Sequence, residues 1–135
     1  MNTYEQFLSS LTREFKQQAP PRFRSLWADL VELEEATDER SFSATQNQAL
    51  RRIHALGCAA RAALAHPVPS LSRSLELRLR TLTREHAATH SESIEALHRT
   101  MNQLGEALYS IEDGPHVPEN TNQPTETLLV GSCVD

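Results

Sequence analysis

Lysine is nearly missing from this chain of 135 residues: of 13 basic side chains only Lys16 is a lysine, and the rest are arginine. Any cationic site is therefore an arginine site, whose planar fork suits carboxylate and phosphate. Cysteine is scarce as well. Cys58 and Cys133 stand far apart, which excludes a disulfide framework and points to a reducing compartment. The four glycines are scattered and build no phosphate-cradling loop. No apolar run approaches the roughly 18 residues that span a bilayer. The opening stretch "MNTYEQFLSSLTREF" lacks the basic and apolar regions of a secretory signal. A net charge of −5 argues against a general nucleic-acid binder. These absences leave a cytoplasmic helical protein, expected to act without nucleic acid, membrane, metal or cofactor.

What is present is helical periodicity. "TYEQFLSSLTREFKQQ" sets Tyr4, Phe7, Leu8, Leu11 and Phe15 on one face, with Thr3 as the expected N-cap and Gln6 three residues on. "APP" at 19–21 predicts a break, after which Phe23, Leu26, Trp27, Leu30, Val31 and Leu33 form a second stripe. A third helix is expected from about Ser43 to the "HPVP" stop at 66–69. Ser70 then caps a fourth, striped by Leu71, Leu75, Leu79 and Leu82. A fifth stripe follows in Ile94, Leu97, Met101, Leu104, Leu108 and Ile111, and periodicity alone does not say whether these last two are separate helices. Short connections predict an all-α, antiparallel up-down four-helix bundle over residues 1–112, with a short extra N-terminal helix. "DGPHVPENTNQPTET" reads as a flexible linker over 113–126, and "TLLVGSCVD" at 127–135 as a β-type run.

Within the third helix, "RRIHALGCAARAAL" places His54 one step off a stripe of apolar and small residues. Its neighbours at helical spacing are Arg51, Gly57, Cys58 and Arg61. Small residues leave the imidazole open to a bulky partner, and the arginines can receive negative charge. Phosphorylation of an imidazole needs those conditions: a ring near neutral pKa, access and nearby cations. The bland alternative is a helix-margin histidine beside residues kept small for packing.

The stretch "ALRRIHALGCAARA", followed by a proline break and "PSLSRSLELRLRTL", resembles the core of histidine-containing phosphotransfer (HPt) domains. In that family a helix carries His-x-Leu-Lys-Gly and the next often opens with Pro-x-Leu. His54 and Leu56 match the first pattern, Pro69 and Leu71 the second, and the resemblance covers roughly residues 4 to 112. The departures are Gly57, where the family has lysine, and Cys58, where it has glycine. The resemblance implies a phosphoryl carrier rather than an independent catalyst, without autokinase activity. His54 would be the phosphoacceptor in a bacterial two-component phosphorelay. Arg51, Arg61, Gly57 and Cys58 would stabilise phosphate or dock the partner. That partner would be the receiver domain of a response regulator or hybrid histidine kinase, met by a monomer or weak dimer. Leu50, Ile53 and Ala60 are expected in the core, with Ala55 and Leu56 nearer the docking surface. The alternative is a degenerate HPt that docks a signalling partner without phosphotransfer. "TLLVGSCVD" is read either as an apolar tail or, from its likeness to the first strand of receiver domains, as the start of one with Gly131 and Ser132 at the acidic positions.

The remaining constellations are weaker. His86 and His90 lie one turn apart like a metal-binding pair, but no further ligand has a suitable spacing. Cys58 lies one turn from His54 without a third orienting group, and a small packed cysteine is the commoner case.

Overall fold

The computed structural model describes residues 2–89 and 91–111 and is helical with no strand among them. The expected linker at 113–126 and the run at 127–135 lie outside the described residues. There are five helices: α1 (Thr3–Glu35), α2 (Glu39–Ala62), α3 (Val68–Arg80), α4 (Arg84–Ala88) and α5 (Glu92–Tyr109). Helix α2 packs against α1 and α3, α3 against α5, and α1 also against α4 and α5.

Helix α1 corrects two expectations. Its cap is Asn2 rather than Thr3: the Asn2 side chain accepts from the Glu5 N–H at 2.7 Å, and Glu5 accepts from the Asn2 N–H at 3.0 Å. The helix also runs unbroken through Pro20 and Pro21, so no separate N-terminal helix exists. Each interior proline removes a backbone bond and costs ~3 kcal/mol. Against that stands one stripe that never changes face: Leu8, Thr12, Phe15, Ala19, Phe23, Leu26, Leu30 and Leu33 are all buried. Its large side chains each stabilise by ~1.5–3 kcal/mol on burial, enough to hold both halves of the helix on one side of the core. Tyr4, Phe7 and Val31, expected on the apolar stripes, are exposed because they fall off this continuous line.

Helix α2 begins earlier than the periodicity suggests, because Asp38 caps it by accepting from the Ser41 N–H at 2.7 Å. Those capping hydrogen bonds hold the Asp38 carboxyl below its usual range. The helix ends where the Ala65 N–H reaches back to the Ala60 carbonyl at 2.8 Å, with Leu64 at φ 58°. Helix α3 starts at Val68, so Ser70 lies in its first turn rather than capping it. The Gln46 amide donates from α2 to the carbonyls of Leu79 and Leu82 at 2.7 and 3.0 Å, satisfying the end of α3. The last two segments are separate helices, α3 and α5, with short α4 between them.

The contacts between helices fix their register. Thr12 donates to the Ala63 carbonyl at 3.4 Å, and further along α1 Asp29 meets Gln48 and Arg52. Helix α5 lies on α1 through His98 with Glu34 and Gly105 with Phe23. A core of Leu26, Leu30, Leu33, Ile53, Leu56, Leu75, Leu79, Leu97, Met101 and Leu104 fills the centre.

Candidate functional site

Helices α2 and α3 approach closely because small residues meet between them. A Cβ added at Gly57 would lie 3.2 Å from the Ser72 Cβ, well inside an ordinary carbon–carbon contact. Ser72 is buried, and its hydroxyl finds no hydrogen-bond partner among the described residues. Above this contact the two helices enclose an open groove of about 830 Å³. Helix α2 contributes Arg51, His54, Gly57, Cys58 and Arg61 to its walls. The five residues singled out from the sequence therefore share one surface feature. Helix α3 supplies the opposite wall with Arg73, Glu76, Leu77 and Arg80.

His54 sits midway along the groove with its side chain 39% exposed. Its Nδ1 lies 3.8 Å from Glu76 Oε1, an electrostatic contact too long for a hydrogen bond. Its Nε2 lies 3.5 Å from Cys58 Sγ. The other Glu76 oxygen, Oε2, takes the Arg80 guanidinium at 2.7 Å, so one carboxylate faces both the imidazole and an arginine. This arrangement can orient a neutral imidazole and gather anions around it. Cys58 is disulfide-bonded, against the expectation of a reducing compartment, and offers no free thiol to the site. Cys133 and His90 lie outside the described residues. Among the described residues no three potential ligands gather to hold a metal, and no helix is long and apolar enough to cross a membrane.

Two expectations about the groove are corrected. Leu56, expected nearer the docking surface, is buried, because position 56 points into the core beside Ile53 and Ala60. Leu50, expected in the core, is only partly buried and lines the groove. Ala55 is exposed and lines the groove. The α3 wall was missed altogether. A signal for it exists, since Arg73, Leu77 and Arg80 recur at four and three residues on the face opposite Leu75 and Leu79.

One turn away, Asp29 on α1 anchors the site's helix. It is buried, accepts from the Gln48 amide at 2.9 Å, and lies 3.0 Å from Arg52 Nε in a poorly aligned ion pair. Burial raises its pKa, and Arg52 and Gln48 oppose that shift only in part. On the far side of the molecule, His98 pairs with Glu34 at 2.6 Å and packs on Trp27, with ring centroids 5.6 Å apart. That contact fastens α5 to α1 away from the groove. Comparison with known proteins finds no family model, no curated protein and no solved structure that matches this chain.

Proposed function

We propose that the chain is a histidine phosphotransfer module that exchanges a phosphoryl group between His54 and an aspartate of a receiver domain in a two-component phosphorelay. The observation that carries the reading is the half-exposed His54 imidazole midway along a groove with arginines on both walls. The helix pairings support an antiparallel four-helix bundle of α1, α2, α3 and α5: residue 12 meets 63 while 29 meets 48 and 52, 57 meets 72 while 46 meets 79, and 34 meets 98 while 23 meets 105.

The step balances without an oxidant or a nucleotide. The Nε2 lone pair of neutral His54 attacks the phosphorus of an aspartyl phosphate. The N–P bond forms as the P–O bond breaks, and the aspartate leaves as its carboxylate. The Nδ1 proton stays on the ring, where Glu76 stabilises the cationic phosphoimidazole. The groove arginines offset the incoming charge on the phosphoryl oxygens. Reversal returns the group to a second receiver.

A second reading rests on Gly57. The resembled pattern has a lysine there, and in this chain that position is turned toward Ser72. A module without it would dock the same partner and transfer nothing. The two readings separate on incubation with phosphoramidate, a small donor that needs no docking surface, and with a phosphorylated receiver domain. Acid-labile label that disappears in His54→Gln is the expected result. Label that persists in that variant overturns the assignment, and receiver binding without label from either donor selects the docking module.

A further inference from the structure

We propose that the α3 face formed by Arg73, Leu77 and Arg80, together with Arg51 across the groove, is a charge-selecting dock for an acidic protein surface. The surface it fits presents an apolar side chain flanked on both sides by carboxylates. The proposal deepens the phosphotransfer reading, on which it rests for identifying that surface as belonging to the phosphoryl donor or acceptor.

The first support is a local inversion of charge. The chain carries a net charge of −5, yet among the described residues the groove walls carry Arg51, Arg73 and Arg80, besides Arg61, around the carboxylate of Glu76. Glu76 is already shared between Arg80 and the His54 ring. Arg51 and Arg73 are exposed and make no ion pair among the described residues. A protein that repels acidic partners on average thus attracts them at one place.

The second support is the spacing on α3. Leu77 is 59% exposed, although the same helix buries Leu75 and Leu79. Arg73 lies four residues before it and Arg80 three after, so all three share one outward face. An apolar contact between two guanidinium groups matches a partner with the complementary order, carboxylate, apolar, carboxylate. The pairings of residue 54 with 76 and 46 with 79 place Arg51 level with the Leu77–Arg80 turn, so the dock borders the phosphoacceptor.

The test uses the full chain and three helical peptides of about 15 residues, a length that forms roughly four turns. One bears leucine with glutamates a turn to each side; the second replaces those glutamates by lysine, and the third replaces the leucine by alanine. Binding is followed by NMR on labelled protein. The acidic peptide is expected to bind at least about tenfold better than the lysine peptide, to perturb Arg73, Leu77 and Arg80, and to weaken steeply as salt rises. The alanine peptide and the Leu77→Ala variant should each bind several-fold more weakly, and Arg73→Glu/Arg80→Glu should reverse the preference. These positions are exposed, and the comparison of peptides on the unaltered protein needs no variant at all. Equal binding of the acidic and lysine peptides, or no binding of any peptide at millimolar concentration, overturns the proposal. His54→Gln should lose phosphoramidate label while still preferring the acidic peptide over the lysine peptide. Peptide selectivity without label removes the phosphotransfer reading and leaves the dock; label without selectivity does the reverse.

Discussion

Replacing Gly57 by alanine tests the close contact on which the groove is built. The new Cβ would meet the Ser72 Cβ at 3.2 Å. Both atoms are fixed to helix backbones, so no rotamer relieves the contact and α2 and α3 must part by a few tenths of an ångström. Overpacking of this kind costs ~1–3 kcal/mol. Alanine in place of glycine inside a helix returns ~1 kcal/mol. The net expectation is a loss of about 1 kcal/mol, read as a lower urea midpoint at unchanged slope. Adding Ser72→Gly moves the methyl-sized volume from one helix to the other and also removes a buried hydroxyl that has no partner. The double variant should therefore recover most of the loss, with a coupling of at least about 1 kcal/mol in a double-mutant cycle. Gly57→Ala that stabilises the protein by the full helix-propensity gain, with additive behaviour in the cycle, refutes the close approach. The same variant measures what the lysine of the resembled pattern would meet at this position before its charge could act.

Two further outcomes follow from the packing. Gly105→Ala puts a Cβ 2.8 Å from Phe23 Cζ, whose ring is held edge-on to Trp27 and Tyr109, so about 1 kcal/mol of stability should be lost by chemical denaturation, and less in a Phe23→Leu background; a gain in stability would show that the ring is free to move. Asp29 has a folded-state pKa above its unfolded value, so its contribution is full below about 3.8 and is lost as pH rises through the raised value. Asp29→Asn should accordingly gain stability relative to the parent between pH 3 and neutrality, and a stability difference that stays flat or falls over that range refutes the burial argument.

How far the chain could be read in advance depended on whether one helix or two decided the answer. The α5 stripe from Ile94 to Leu108 was legible because every large apolar residue falls on one period and every one is buried. The α1 stripe was not, since Thr12 and Ala19 stand in it and look like interruptions, while Pro20 and Pro21 signal a stop. Thr12 fits because its hydroxyl donates to the Leu8 carbonyl, a local bond that hides its polarity. The α2 half of the groove was legible for a similar reason, as positions 51, 54, 57, 58 and 61 lie on one face of a single helix. The α3 half was not, because which α3 residues face His54 depends on the register between two helices. That register is set by the Gln46 bonds to the end of α3 and by the fit of Gly57 against Ser72, both tertiary facts.

The same register bears on the missing lysine. Three residues after His54 the helix has turned toward α3, and there Gly57 lets the neighbouring backbone come close. A long cationic side chain at that point would have to displace the helix that carries Glu76 and Arg80. Yet those two residues sit opposite His54 only because the helices are close. Glu76 faces the imidazole with one oxygen and takes Arg80 with the other, which links an arginine of the facing helix to the carboxylate nearest the ring. A lysine at 57 and a near α3 are thus competing ways to bring positive charge to one histidine. In the phosphotransfer reading this chain uses the second, and its cations divide between two helices whose spacing, rather than one residue, governs the charge His54 meets.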